Sequence, residues 1–234
     1  PTLVIDGKVT TDTINILDLL ANRFGTASNC FDTSEEEKES VKYWINKAAG
    51  LFIEAMTYGH IEGVKKPFPL RNGSENGRSH QDKVDLLSGL IDRYKKDPTL
   101  RTAYEKKRAV IEATKEAMVA QGQMSAIVDA TRVELEDLAH QLASGQFADG
   151  GWLASDAFSL ADVQWGAVLY RLQWVGLQPL LWEDDSITSA YAEKLFAKAS
   201  FQTGVVQWSK VGSKVVLPTL RYKLLRALGL KNDV

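Results

Sequence analysis

The sequence has 234 residues, 44% of them apolar, which is enough to bury the core of one large or two small domains. Its 28 basic and 30 acidic residues argue against a nucleic-acid-binding protein, because such proteins usually carry a strong basic excess. The single cysteine, Cys30, excludes an internal disulfide framework and favours a reducing, cytoplasmic compartment. No apolar run reaches the roughly 18 residues that span a bilayer.

The first 25 residues predict two strands and a helix. Thr2 to Ile5 and Lys8 to Thr10 are β-prone runs, and the Asp6-Gly7 pair between them is a strong hairpin signal. Thr11 or Asp12 can cap the apolar helix that follows and ends near Gly25. Two short strands are marginal without partners, so this β-β-α unit is too small to stand alone.

The middle of the chain predicts helices only. A polar, acidic stretch at 26–37 is interpreted as an inter-domain linker, and residues 61–80 as a loop of about 20 residues, a length that is often functional. Apolar residues at helical spacing predict helices on either side of that loop. These helices run from Val41 to Tyr58, from Val84 to Lys96 before a break at Asp97-Pro98, and from Thr102 to Leu142 with an interruption near Gly122.

The last third of the chain predicts three more helices and a basic tail. The helices cover 159–175, 187–198 and 200–209. The tail, 210–234, combines leucines and valines with six basic residues between Lys210 and Lys231 and no acid there. It is either a solvated helix docked on its own domain, which we favour, or an amphipathic helix that makes a weak contact with a membrane, covers the mouth of the active site, or packs on a partner subunit.

A capping box precedes the helix at 159–175. In Ser159-Leu160-Ala161-Asp162 the serine hydroxyl can accept from the N–H three residues on, while the aspartate carboxylate accepts from the serine N–H. Such boxes begin many helices, so this motif alone identifies no family. Asp162 is therefore interpreted as structural and not catalytic.

Two motifs together resemble the glutathione S-transferase superfamily. The run from Pro1 to Val4, the Asp6-Gly7 turn and Thr11-Asp12-Thr13 before an apolar helix resemble the second half of its thioredoxin-like domain. The segment from Trp152 to Asp162 resembles its helix-capping motif, about 150 residues later with helices between. The resemblance implies an α+β thioredoxin-like remnant at 1–25, a linker at 26–37, an all-α domain at 38–209 and the tail at 210–234.

Further segments resemble the bacterial reductive dehalogenases of chlorinated hydroquinones within that superfamily. The matching runs are Thr57 to His60, Lys96 to Tyr104, Ser159 to Trp165, Tyr170 to Gly176, Tyr191 to Ser200, and Gln207-Trp208. The resemblance implies a glutathione-dependent transferase that acts on a small aromatic substrate, and a homodimer. It also implies that the residue activating the thiol lies in a strand–loop–helix segment preceding Pro1, so its identity is unknown from this sequence.

The resemblance places Pro1, Asp12 and Thr13 in the glutathione site. A helix N-terminus offers unpaired N–H groups and partial positive charge, which suit the γ-glutamyl carboxylate. Thr13 would donate to that carboxylate, while Asp12 would accept from the ammonium or orient the turn. Pro1 is implied to follow a cis peptide whose preceding residue pairs with the cysteinyl backbone. The alternative for Asp12 and Thr13 is simple helix capping.

Four residues are candidates for the aromatic substrate: Tyr58, His60, Trp165 and Arg171. Arg171 could pair with a phenolate, since an arginine within an apolar helix needs a partner or a route to water. For Trp165 core packing is the favoured alternative, and for His60 an ordinary loop-end histidine is an equal alternative. His80 and His140 have no partners at metal-ligand spacing, so no metal site is predicted.

Three functions remain open. The favoured one is removal of a leaving group from an aromatic electrophile, with reductive dehalogenation of a chlorinated hydroquinone first. The second is cleavage of an aryl ether, or an isomerisation, on the same scaffold. The third is a non-catalytic binding module of the same fold with a membrane- or partner-contacting tail.

Overall fold

The structure is a computed structural model that describes residues 2–24, 34–67, 73–120, 122–145, 147–182 and 186–207. The chain divides into two compact units, Pro1–Tyr191 and Ala192–Val234. Pro1, Cys30 and the predicted tail contact at 210–231 lie outside the described residues.

A β-hairpin opens the first unit. Strand β1 (Thr2–Ile5) pairs antiparallel with β2 (Lys8–Thr11) in the register Ile5 to Lys8. Asp6 and Gly7 both adopt positive φ, 51° and 74°, which is the twist that a two-residue hairpin turn requires. Helix α1 (Thr13–Phe24) follows, so the predicted β-β-α order is confirmed.

Helices make up the rest of the first unit. They are α2 (Glu35–Gly50), α3 (Ile53–Tyr58), α4 (Gly73–Arg93), α5 (Pro98–Val119), α6 (Gln123–Ser144), α7 (Leu160–Trp174), α8 (Gln178–Leu181) and α9 (Ile187–Phe196), whose last turn enters the second unit. A two-stranded antiparallel sheet followed by helices confirms the predicted fold class. None of the described helices is both long and apolar enough to cross a membrane.

Helix α2 begins earlier than the linker prediction allowed. Ser34 forms a capping box with Glu37: the Ser34 N–H donates to Glu37 Oε2 over 2.8 Å, and the Glu37 N–H donates to Ser34 Oγ over 3.3 Å. The acidic residues at 35–37 are therefore the first turn of the helix, where the helix dipole favours them. The sequence interpretation counted these residues only as polar linker.

The single helix predicted from Val41 to Tyr58 is wrong, because the structure breaks it after Gly50. Leu51 adopts an extended conformation, and α3 begins at Ile53. The buried Lys66 closes the end of α3, since its ammonium donates to the carbonyls of Met56, Thr57 and Gly59. This is a C-terminal cap supplied from the following loop.

The predicted 20-residue loop at 61–80 is also wrong, because α4 already begins at Gly73. Glycine costs about 1 kcal/mol in a helix interior, and the packing of α4 along α5 outweighs that cost at Gly77. The break at Asp97-Pro98 is confirmed. The Asp97 carboxylate accepts from the N–H groups of Thr99 and Leu100, both at 3.0 Å, and Pro98 occupies the first position of α5.

The core lies between α2, α3, α6 and α7. Helix α6 buries one face, whose members are Met124, Val128, Thr131, Leu135, Leu138 and Leu142. Outside the core, Lys47 of α2 forms ion pairs with two acidic residues of α6. Its Nζ lies 2.7 Å from Glu134 Oε2 and 2.6 Å from Asp137 Oδ2. Although partial burial opposes the charge, these two hydrogen bonds raise the pKa of Lys47.

The described part of the second unit is short. The last turn of α9 is followed by α10 (Ala199–Phe201) and a π-helical turn at Gln202–Val206, in place of the single helix predicted from 200 to 209. The rings of Phe196 and Phe201 stack with their centroids 5.1 Å apart. Gln202 Nε2 donates to the carbonyl of Phe196 over 2.7 Å, which ties the turn to the end of α9.

Candidate functional site

A cavity of about 580 Å³ lies where the start of α1, the end of α2 and one face of α7 meet. It belongs entirely to the first compact unit. Its polar lining comes from Asp12 and Thr13 of the α1 N-terminus and from Gln164 and Arg171 of α7. The apolar lining residues are Ile14, Ala48, Ala49, Leu51, Ile53, Ala167 and Val168. The volume lies within the range of about 300–1,000 Å³ that is typical of small-molecule sites.

Asp12 holds the N-terminus of α1 in a constrained geometry. Its φ of 76° is unusual for a residue with a side chain, whereas the other described non-glycine residue with positive φ, Asp6, is explained by the hairpin turn. The Asp12 carboxylate accepts from the Ile14 N–H over 3.0 Å, which caps the helix. Strained backbone of this kind persists where the surroundings impose it and is common at ligand sites.

Thr13 follows directly and lines the same cavity. Within the described part of the chain its hydroxyl makes no hydrogen bond, so it is available to a ligand. The first N–H groups of a helix also carry partial positive charge. The two residues that the sequence placed at the acidic end of a ligand therefore lie together at one wall of a cavity.

Helix α7 forms the opposite wall through one face. Gln164, Ala167, Val168 and Arg171 are spaced i, i+3, i+4, i+7 and line the cavity, while the other face is buried. The Arg171 guanidinium lies 5.2 Å from the centroid of the Trp174 ring, a cation–π contact that leaves its N–H edge exposed to other partners. Gln164 was missed by the sequence interpretation, although the helical spacing from Arg171 could have identified it.

A buried carboxylate fixes where α7 begins. Asp162 Oδ1 accepts from the Leu153 N–H at 3.1 Å and from the Tyr191 hydroxyl at 2.7 Å. Its Oδ2 accepts from the N–H and the hydroxyl of Ser159 at 2.7 and 2.9 Å, so the predicted capping box is confirmed. Burial raises the pKa of Asp162, although all four donors favour the carboxylate.

The structure does not bring the other predicted substrate residues to this cavity. Trp165 is 0% exposed, and its indole N–H donates to the carbonyl of Trp44 over 3.0 Å, so it lies in the core behind the α7 wall. This corrects its assignment to the substrate, because the apolar periodicity of α7 places it on the buried face. Tyr58 is half-buried against His80, with ring centroids 5.4 Å apart, and His60 is exposed at the turn after α3.

A second cavity, of about 490 Å³, lies between α2, the start of α3 and α6. It is lined by Tyr43, Lys47, Phe52, Ile127 and Glu134 among others. None of the residues predicted for glutathione or for the aromatic substrate lies there. Among the described residues, no group of three or more His, Cys, Asp or Glu side chains is arranged to hold a metal ion.

Comparison with known proteins finds three curated relatives. Two 2,5-dichlorohydroquinone reductive dechlorinases, from two strains of Sphingobium indicum, are each 32% identical over 132 residues, or 55% of this chain and 37% of theirs. A tetrachloro-p-hydroquinone reductive dehalogenase from Sphingobium chlorophenolicum is 24% identical over 208 residues, 88% of this chain and 74% of its own. The predicted similarity to this group of enzymes is thereby confirmed.

The match spans little more than a third of the length of the two dechlorinases. No protein-family description matches the chain, and no solved structure matches it.

Proposed function

We propose that the chain is the substrate-binding part of a glutathione-dependent transferase that acts on an aromatic electrophile, with reductive dehalogenation of a chlorinated hydroquinone as the reaction. The observation that carries the proposal is the single cavity that places Asp12 and Thr13 opposite Arg171, residues about 160 positions apart in sequence. The names of the three relatives supply the substrate class and the type of reaction.

The residues of the α1 wall fit the γ-glutamyl end of glutathione. That end carries a carboxylate and an ammonium group, and the wall offers the Thr13 hydroxyl and the helix N-terminus to the first and the Asp12 carboxylate to the second. One oxygen of Asp12 is bonded to Ile14, and carboxylates accept more than one hydrogen bond, so capping and ligand binding are compatible. When bound, glutathione would supply a thiol as the nucleophile that displaces chloride, and a second thiol would complete the reduction by attacking the sulfur of the conjugate, so that the two thiols leave as a disulfide.

The α7 wall fits a small phenolic ring. The guanidinium of Arg171 offers paired N–H donors to a phenolate oxygen, Gln164 offers an amide, and Ala167 and Val168 provide apolar contact. In this arrangement the protein orients the electrophile with respect to the thiol and shields both from water. We assign no residue of this sequence to the role of lowering the pKa of the thiol.

Glutathione binding by the full-length protein tests the proposal. We expect calorimetric titration to detect binding and Thr13→Val to weaken it by about ten-fold, which is the loss of roughly one charge-assisted hydrogen bond. Thr99→Val is the matched control, because Thr99 also lies in the first turn of a helix but does not line this cavity.

Glutathione-dependent release of chloride from 2,5-dichlorohydroquinone or tetrachlorohydroquinone would then separate the dehalogenase from a binding module of the same fold. Binding without chloride release, and without turnover of other aromatic electrophiles, would refute the enzymatic part. Failure of the full-length protein to bind glutathione would refute the proposal as a whole.

A further inference from the structure

The far end of the α4–α5 hairpin is exposed on both helices. The hairpin is anchored by buried residues near its base, Val84 on α4 and Ile111, Thr114 and Ala117 on α5. Between Asp85 and Val110 no residue is buried. The first 13 residues of α5 alone correspond to a length of about 20 Å, at 1.5 Å per residue. This part of the hairpin therefore adds no fully buried residue to the core, and most of its charged side chains are exposed.

This exposed end has a strong basic charge. We define the basic tip as residues 93–108, which hold seven basic residues and two acidic ones, in a chain whose net charge is −2. The basic residues are Arg93, Lys95, Lys96, Arg101, Lys106, Lys107 and Arg108. A local charge of +5 on 16 residues is opposite in sign to the chain as a whole, so it is not a consequence of overall composition.

The two acids of the basic tip are already engaged, and the half-buried Arg108 is itself paired with an acid outside the tip, with its Nε 3.6 Å from Glu112 Oε1. Asp97 caps α5 by accepting from the N–H groups of Thr99 and Leu100, and Glu105 accepts from Arg101 Nε over 2.8 Å. Four exposed lysines, Lys95, Lys96, Lys106 and Lys107, make no ion pair within the described part of the chain. Their ammonium groups are available to an external anionic surface.

Apolar and amphipathic groups accompany these charges. The rings of Tyr94 and Tyr104 pack together with centroids 5.8 Å apart, which holds the turn against α5. Leu100, in the first turn of α5, is 37% exposed. Tyrosine next to lysine and an exposed leucine is the composition of segments that lie at the boundary between membrane and water.

We propose that the basic tip docks on the surface of a membrane that contains anionic lipid. Neither of the two cavities described above includes a residue of the tip. Lysines on flexible stems bind as point charges, and a fluid anionic surface satisfies them without matched geometry. The proposal is independent of the reaction catalysed at the α1–α7 cavity.

Co-sedimentation of the full chain with lipid vesicles tests the proposal. We expect binding to vesicles of phosphatidylcholine and phosphatidylglycerol, weaker binding to phosphatidylcholine alone, and a fall in binding as salt screens the charges. The variant K95Q/K96Q/K106Q/K107Q should lose at least about ten-fold in partitioning. The matched control K8Q/K38Q/K42Q/K65Q removes four exposed lysines elsewhere and should stay within about two-fold of wild type.

A third variant separates the tip from the basic tail. K214Q/R221Q/K223Q/R226Q removes four positive charges from 210–234 and should also retain binding. The proposal is overturned if the tail variant alone abolishes binding, or if all three variants weaken it equally. It is also overturned if the wild type binds poly-glutamate as tightly as anionic vesicles, because the partner would then be an acidic macromolecule. Far-ultraviolet circular dichroism confirms that each variant retains its helices.

Discussion

The hydroxyl of Tyr191 donates a 2.7 Å hydrogen bond to Asp162 Oδ1, which joins α9 to the first turn of α7. Both residues are fully buried. Because Asp162 also receives the N–H groups of Leu153 and Ser159, one carboxylate holds three separate segments in register. Arg171 and Gln164 are carried by the helix that this carboxylate positions. Burial raises the pKa of Tyr191 as well, and the neighbouring carboxylate adds to the effect, so the phenol remains a donor.

Removal of this carboxylate should destabilise the protein strongly. Asp162→Ala leaves the N–H groups of Leu153 and Ser159 buried without their acceptor, and we expect a loss of about 3–5 kcal/mol in the free energy of unfolding. Tyr191→Phe removes one donor to a charged acceptor and should cost about 2 kcal/mol. Chemical denaturation measures both, with Tyr104→Phe as a control expected within about 0.5 kcal/mol of wild type.

A double-mutant cycle measures the interaction energy between Asp162 and Tyr191. Once Asp162 is alanine, the Tyr191 hydroxyl has lost its acceptor, so Tyr191→Phe should cost little or nothing in that background. An equal cost of Tyr191→Phe in both backgrounds would show that the two side chains act independently, contrary to the geometry.

Gln164 should contribute to binding of the aromatic substrate and not to binding of glutathione. The substitution Gln164→Leu keeps the approximate volume of the side chain and removes an amide group from the α7 wall. The expected effect rests on the proposed function. We expect KM for the chlorinated hydroquinone to rise by about five- to ten-fold, with glutathione affinity unchanged, because one neutral hydrogen bond is lost. Gln173→Leu, an exposed glutamine on the same helix, controls for the change in helix composition. A weakened affinity for glutathione in Gln164→Leu would place the two ligands differently from our assignment.

Arg171 should contribute to catalysis through the paired N–H donors of its guanidinium group and not only through its positive charge. If it binds a phenolate oxygen, Arg171→Met should reduce kcat/KM by about ten- to a hundred-fold, the loss of one charge-assisted contact. Arg171→Lys should restore only part of that loss, because an ammonium does not reproduce the planar pair of N–H groups or the contact with Trp174. Steady-state kinetics of chloride release measures these effects. Full activity of Arg171→Met would exclude the residue from substrate binding.

Local signals were sufficient for the elements that depend on a few adjacent residues. The Asp6-Gly7 turn, the Ser159–Asp162 box and the Asp97-Pro98 break each specify their geometry within four residues, and all three are confirmed. Two boundaries failed. Gly77 lies inside α4, which packs along α5, and α2 ends at Gly50 although apolar residues continue beyond it. Tertiary packing supplies most of the stability of helices in proteins, and it is not visible in a short stretch of sequence.

The residues of the candidate site also differ in whether the sequence alone could identify them. Asp12 and Thr13 were selected from a motif and Arg171 as an arginine within an apolar helix, and the structure brings all three to one cavity. Trp165 was a candidate as an aromatic residue on the capped helix, with core packing as the favoured alternative. The structure bears out that alternative, since Trp165 is fully buried and its indole N–H donates to the carbonyl of Trp44. Gln164 was missed because glutamine carries no motif of its own.

Lys66 should make the free energy of unfolding depend on pH in the alkaline range. Three carbonyl oxygens at the end of α3 accept from its ammonium, yet burial dominates and lowers the pKa of Lys66 from 10.5 to about 8. Between these two values the unfolded chain holds a proton that the folded chain has released. The contribution of Lys66 to the free energy of unfolding therefore rises as the pH increases from about 8 to 10.5.

Urea denaturation across that pH range measures the effect. We expect Lys66→Met to be less stable than wild type, because three carbonyls lose their donor, and to lack the alkaline increment. Lys65→Met, at the exposed neighbouring lysine, should keep both the stability and the pH dependence of wild type. If Lys66→Met and wild type change in parallel with pH, the ammonium is not desolvated in the folded state, and the carbonyls of α3 rather than burial determine its charge.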